Sequence, residues 1–300
     1  MPASHKNHIM TYVDKRDWPI YNEKIVCRGT FYIMPGFLDD WDSELQTMNS
    51  NKKGRPYKYP ESFIQFTAIM YAFMHLPYRQ LEGVLRALSK FMPALLAADY
   101  TTLWHRISKL DIPIPIPEND IIVAIDSTGI KVTNRGEWIR MKHNTKRKGW
   151  IKVHVAVDVE SKKLVSLEIT DEQISDKEMA KPLLDEVNLE DVLGDGAYDT
   201  EDLFNFLKEK GISRPGIKIR KNAVVGDDPD SERANSVLDF KKWGYPYWRM
   251  AHQYGRRWAV EGFFSAIKRI FGESVRATST DGMINEVRRI FSFYNIILSV

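Results

Sequence analysis

Apolar positions along the chain change period near residue 119. Before that point they recur at three- and four-residue steps. Phe63, Phe66, Ile69, Met70 and Phe73 form one such stripe, opened by Pro60 and Glu61, and predict a helix. Pro77 breaks it, and a second helix follows with Leu81, Val84, Leu85 and Leu88 on one face. Pro93 starts a short third piece, PALLAA. Asp99 or Thr101 then caps a last helix that carries Leu103, Trp104, Ile107 and Leu110 inward. Its other face presents Thr102, His105, Arg106 and Lys109, the pattern of either a recognition helix in a helix-turn-helix or a solvated amphipathic helix.

Beyond residue 119 the period shortens. Residues 121–125 are a continuous apolar run ending in Asp126, which predicts a buried strand. Residues 150–158 and 164–169 alternate and predict a hairpin across 160–163. A helix over 176–188 follows, then a short strand at Val192-Leu193, a helix over 200–210 and a strand over 216–220. Residues 221–248 read as polar and irregular, 250–271 as one long helix, and a closing helix runs from Met283. Strands and helices in this order predict an α/β layer architecture. Residues 1–50 show no clear period and read as irregular structure with short helices. The basic stretch 51–60 reads as a tether or a minor-groove arm, and DIPIPIPE at 111–118 as a domain boundary. The expected organisation is an irregular region 1–59, a helical DNA-binding domain 60–118 and an α/β domain 119–300.

Composition narrows the classes. The 300 residues are 43% hydrophobic and 28% charged, which excludes bulk disorder. A single cysteine, Cys27, excludes a disulfide scaffold and a multi-cysteine zinc site. No apolar stretch is long enough for a membrane span, and MPASHKNHIM lacks the apolar centre of a secretory signal, so a cytoplasmic, nucleoid-associated protein is expected. The net charge of +3 divides into +1, −4 and +6 over residues 1–120, 121–212 and 213–300. A basic last third beside an acidic middle is expected of a protein that grips a polyanion, though clustering on solvated faces gives the same balance. Residues 131–152 hold eight basic residues and one acid, among them Lys142, Lys146, Arg147 and Lys148, and read as a DNA-facing hairpin. Arg220 and Lys221 read the same way.

Three carboxylates carry the candidate chemistry. Asp126 ends the first strand, Asp195 sits between two glycines past a later one, and Glu261 lies mid-helix. Oxygen ligands of this kind suit magnesium or manganese, and three can hold two ions for in-line phosphoryl displacement. On a single helix Tyr254, Arg257, Glu261 and Lys268 share one narrow stripe, with Ala259, Phe263, Ala266, Ile267 and Ile270 opposite. Arg and Lys beside a metal-binding carboxylate would hold phosphates; an ordinary amphipathic helix has the same burial pattern. Trp258 lies at the edge of the stripe, where it stacks on a base or is part of the core. Asp199 reads as the cap of the helix from Thr200, Asp158 as structural, and His154 as a packed or surface residue rather than a base.

These segments together resemble the DDE transposases of bacterial and archaeal insertion sequences, closest to the insertion-sequence-five group of the insertion-sequence-four-like superfamily. The matching stretches are AIDSTG at 124–129, WIKVHVAVD at 150–158, GDGAYD at 194–199, and Tyr254, Arg257, Glu261 and Lys268 at the family's Y-x2-R-x3-E-x6-K spacing. The resemblance spans about residues 60–300. It implies an RNase H-like catalytic domain, a mixed sheet flanked by helices. It implies that Asp126, Asp195 and Glu261 bind two Mg2+ or Mn2+ ions, and that Tyr254, Arg257 and Lys268 touch the backbone of the transposon end. The implied reaction is cleavage at the ends of an element and transfer of the freed 3′-hydroxyl into target DNA, by at least a homodimer on double-stranded DNA carrying terminal inverted repeats. A nuclease of the same fold without strand transfer, and a DNA-binding derivative without catalysis, are the rival readings.

Overall fold

A computed structural model describes residues 17–31, 35–132, 149–226 and 228–299. The basic residues Lys142, Lys146, Arg147 and Lys148 lie outside the described residues.

The first half is helical: α1 (Trp18–Phe31), α2 (Trp41–Asn49), α3 (Glu61–Phe73), α4 (Tyr78–Leu88) and α5 (Tyr100–Ser108). Pro60 precedes α3 in extended conformation, and the Asp99 carboxylate caps α5 by accepting from the amides of Thr101 and Thr102. PALLAA forms no helix; it is a turn followed by irregular chain, from which Leu95 and Ala98 are buried. Trp104, expected inward, is 56% exposed, while Leu103, Ile107 and Leu110 are buried.

The second half is a mixed sheet flanked by helices. Its strands are β1 (Ile121–Val132), β2 (Trp150–Asp158), β3 (Leu164–Asp171), β4 (Leu189–Gly194), β5 (Gly216–Ile217) and β6 (Ser274–Val275). Their order is β3-β2-β1-β4-β5, with β6 on the far end of β1. β1, β2 and β3 pair antiparallel, whereas β4 and β6 run parallel to β1. The helices are α6 (Asp176–Leu184), α7 (Glu201–Glu209), α8 (Glu232–Ala251), α9 (Trp258–Phe271) and α10 (Thr280–Ser299).

Alternation along β1 assigns its residues to two cores. Ala124 and Ile130 face α9, α10 and the N-terminal helices, while Val123 and Ile125 face α6 and α7. Helices α3 to α5 therefore share one continuous core with one face of the sheet. The proline-rich stretch between the halves is stitched into it: Ile112 is buried, and its carbonyl accepts from the Ser292 hydroxyl at 3.2 Å. The loop 51–60 is pinned too, because Asn49 and the Tyr57 backbone bond each other at 2.7 and 3.0 Å.

Two departures from the sequence reading bear on function. Residues 221–248 are expected to be irregular, but 232–251 are helix α8, capped by the Ser231 hydroxyl and kinked at Gly244 (φ 75°) ahead of Pro246. The long helix expected over 250–271 is broken. Gln253 takes a left-handed φ of 46°, Tyr254–Arg257 form a 3-10 turn, and α9 starts only at Trp258.

Candidate active site

The first candidate carboxylate does not end its strand: β1 runs six residues past Asp126 to Val132. What ends there is the neighbour. β4 pairs with β1 as far as Ala124↔Leu193 and stops at Gly194. Two residues on from that pair stand Asp126 and Asp195, so the parallel register brings them to matching positions. Ala124 and Leu193 both face the α9 core, and the period of two gives Asp126 the same face. β6 rejoins β1 only at Lys131 and Val132, and the 3-10 turn Tyr254–Arg257 packs against β1 and β4 between these pairings.

The glycines around Asp195 serve close packing rather than an unusual backbone. Neither has positive φ. A Cβ on Gly194 would lie 2.8 Å from Ile217 Cδ1 and 3.2 Å from the Tyr198 ring. The Asp195 carboxylate accepts from the Ala197 amide at 2.8 Å, which sets the turn that follows. Arg220, expected on DNA, donates to the carbonyls of Gly196 and Ala197 on that turn. Asp199 is not the helix cap; Thr200 is. Asp199 is instead buried against Arg233 at 2.7 Å and accepts from the Arg220 amide at 3.0 Å.

Arg257 ties the site together. One guanidinium nitrogen lies 3.1 Å from Asp126 Oδ2, a second 3.2 Å from Glu261 Oε1, and Nε donates to the Tyr254 hydroxyl at 3.1 Å. Asp126 is held above the usual carboxylate range, first by burial and also by the charge of Asp195; the Ser127 amide and Arg257 oppose the rise. Burial pulls Arg257 down, but Tyr254, Asp126 and Glu261 together raise it. Tyr254 is turned away from solvent, 8% exposed, with its ring 4.9 Å from Trp248. Trp258 is 70% exposed. Of the residues on the N-terminal bundle, Lys109 is exposed, whereas Arg106 pairs with Glu61, donates to the Tyr59 carbonyl and lies over the Tyr57 ring.

A groove of about 830 Å³ opens from the carboxylates. Asp195 and Glu261 line it together with Lys218, Arg220, Lys221, Arg249, Arg257 and Trp258. Sequence reading missed Lys218 and Arg249. Lys218 alternates with Arg220, which was a usable signal; Arg249 sits on the helix that polar composition concealed.

Beneath Asp126, on the other face of the sheet, lies a second ionic cluster. Ser127 and His154 are register partners. Asp176 at the start of α6 receives Lys152 Nζ at 2.9 Å and lies 3.4 Å from His154 Nδ1. Burial opposes its ionisation, but hydrogen bonds from His154, Ser127 and Lys152 hold it well below the usual carboxylate range. His154 is fully buried and meets the Thr170 hydroxyl at 3.0 Å through Nε2, a packed residue as expected. Asp158 likewise folds the β2–β3 turn by accepting from the amides of Glu160 and Ser161.

The donor set is chemically suited to a hard divalent ion: the three carboxylates offer only oxygen, and two of them already share a cation, the guanidinium of Arg257. Among the described residues, no three Asp, Glu, His or Cys side chains converge closely enough to enclose an ion. Among them, too, no helix is long and apolar enough to cross a membrane.

Comparison with known proteins gives the following. Residues 117–296, more than half of the chain, match a family described as "Transposase DDE domain". A second family of the same description matches residues 26–135. Among solved structures, a piggyBac transposase synaptic complex with hairpin DNA aligns over 92% of this chain and 74% of its own, at 10% identity and a TM-score of 0.38.

Proposed function

The chain belongs to the transposase DDE-domain family and is a DDE-type transposase, and we propose that Asp126, Asp195 and Glu261 form its catalytic triad. The observation that carries this reading is the register that brings Asp126 and Asp195 side by side, with Arg257 joining Asp126 to Glu261. The triad would hold two Mg2+ or Mn2+ ions. When bound, such ions activate the attacking oxygen and stabilise the leaving one in phosphodiester displacement. The substrate is double-stranded DNA with terminal inverted repeats, cleaved at each end to free a 3′-hydroxyl that is then joined to target DNA. Arg257 and Lys268 bind phosphates of the element end, and the basic groove with Lys218, Lys221 and Arg249 leads the strand toward the carboxylates. Two ends must be joined, so the working form is at least a homodimer. The Y-x2-R-x3-E-x6-K spacing supports a reading as a member of the insertion-sequence-five group, with α3 to α5 as its helix-turn-helix-like DNA-binding element.

The test is a strand-transfer assay with Mg2+ and DNA carrying the flanking inverted repeats. Asp126→Asn, Asp195→Asn and Glu261→Gln are each expected to retain DNA binding and to lower joining by orders of magnitude. Normal joining by any one of them removes that residue from the triad. Cleavage without joining in the wild type reduces the activity to that of a nuclease.

A further inference from the structure

A half-buried carboxylate with a second one beside it gains from a resident counter-ion when no metal is bound. The Asp126 side chain is only 24% exposed, and the sheet register sets Asp195 beside it. A guanidinium supplies what is missing. Arg257 reaches Asp126 with one terminal nitrogen and Glu261 with the other, at 3.1 and 3.2 Å, instead of engaging one carboxylate with both. Its third donor is fixed on the Tyr254 hydroxyl, and its side chain is 15% exposed. This is a planar cation seated between a strand carboxylate and a helix carboxylate.

Resting on the triad assignment above, we propose that Arg257 is the resident counter-ion of the DNA-free site, competing with divalent cations for Asp126 and Glu261. Metal loading then requires the guanidinium to leave. The ligand best able to draw it away is a phosphodiester oxygen, which matches the guanidinium fork as a carboxylate does. The groove that Arg257 lines, with Lys218, Lys221 and Arg249 beside it, is where such a phosphate would arrive. DNA engagement and metal loading are thereby coupled through one side chain, and the coupling must be reciprocal. The consequence is a site that stays poorly loaded until a backbone phosphate occupies the arginine.

The experiment is direct Mn2+ titration of the full chain, read by electron paramagnetic resonance of the free ion, with no turnover involved. Without DNA, Arg257→Gln is expected to bind Mn2+ about tenfold more tightly than wild type, within the usual range of site coupling. Arg257→Lys, a single point charge that cannot span both carboxylates, should fall between them. Adding duplex element-end DNA should tighten Mn2+ binding more in wild type than in Arg257→Gln. Equal or weaker Mn2+ binding by both variants without DNA overturns the proposal, and so does an equal DNA effect in wild type and variant. Should Arg257→Gln fail to fold, the Lys variant and the wild-type DNA effect still decide. Asp126→Asn in the Arg257→Gln background separates the two readings. If it abolishes the tight Mn2+ site, the triad stands whatever Arg257 does; if tight binding survives, the ion is elsewhere and the triad assignment itself fails.

Discussion

Arg220 Nε donates to the Gly196 carbonyl at 2.6 Å, and Nη2 donates to the Ala197 carbonyl at 3.2 Å. An exposed arginine on the groove wall is thus committed to the turn that carries Asp195. Its backbone amide is held as well, by Asp199, which Arg233 pairs from the far side. The chain Arg233–Asp199–Arg220–Gly196 fixes the Asp195 carboxylate from behind.

The expected consequence separates positioning from phosphate contact. Arg220→Ala should lower strand transfer by about tenfold or more, because a small misplacement of a reacting group is costly. The salt slope of DNA binding should stay within a few tenths of wild type. Arg220→Lys keeps the charge but not the planar fork, so it should resemble Ala in joining rates. The opposite pattern, full joining by the Lys variant and a slope reduced by about one in the Ala variant, would identify a plain phosphate contact.

Asp191 on β4 offers a pH-dependent signature. Burial pushes its carboxyl up to about 6 from an ordinary 3.8, even though the amides of Val192 and Gly216 hydrogen-bond it. The folded state therefore holds this proton more tightly than the unfolded state. The stabilising contribution is complete below about pH 4 and is lost as pH rises through about 6. Discounted for partial solvent access, the loss is about 2 kcal/mol at pH 7. Asp191→Asn can accept the same two amide bonds without ionising. Urea denaturation should show the variant equal to wild type near pH 4 and more stable by about that amount at pH 7. A pH-independent difference would place the Asp191 effect in packing instead.

The parts of this fold that were legible in sequence are those with local causes. Pro60, Pro77 and Asp99 mark helix starts, and strict alternation marks β2 and β3. Helix α8 was hidden because Gly244 and Pro246 interrupt it and few of its residues are buried. The break at Gln253 has no sequence signal, since a glutamine rarely takes positive φ and does so here only under tertiary constraint. That break moves Tyr254 and Arg257 off α9 and into a turn of different periodicity. The turn runs directly into α9, and Arg257 still meets Tyr254 on one side and Glu261 on the other, while Glu261 and Lys268 share the helix itself. The pairing of Arg257 with Asp126 spans 131 positions and is set by how the turn docks on β1, which no local pattern encodes. The three candidate carboxylates were legible from their positions on the predicted elements and through resemblance; that Asp126 stands beside Asp195 needed the sheet register, and that Arg257 joins Asp126 to Glu261 needed the docked turn.

Tyr254 tests the revised geometry most sharply. Resemblance implies a residue on the DNA backbone, but the ring is buried against Trp248 and the hydroxyl accepts from Arg257 Nε. The side chain thus has two separable duties, packing and aiming. Tyr254→Phe keeps the packing and deletes only the acceptor. Its stability should fall by about 1 kcal/mol, the worth of one hydrogen bond to a charged donor with solvent nearby. Joining should drop about tenfold, because Arg257 loses the contact that holds its fork at the groove where it would meet a phosphate. Tyr254→Ala empties a buried aromatic site and should cost about 3–5 kcal/mol, visible as a lower urea midpoint. A directly DNA-bound phenol gives a different result. Phe would then weaken element-end binding measurably, and that weakening would persist in an Arg257→Gln background. In the positioning reading, by contrast, Arg257→Gln leaves the Tyr254→Phe substitution with nothing further to change, so the double mutant joins DNA no more slowly than Arg257→Gln alone.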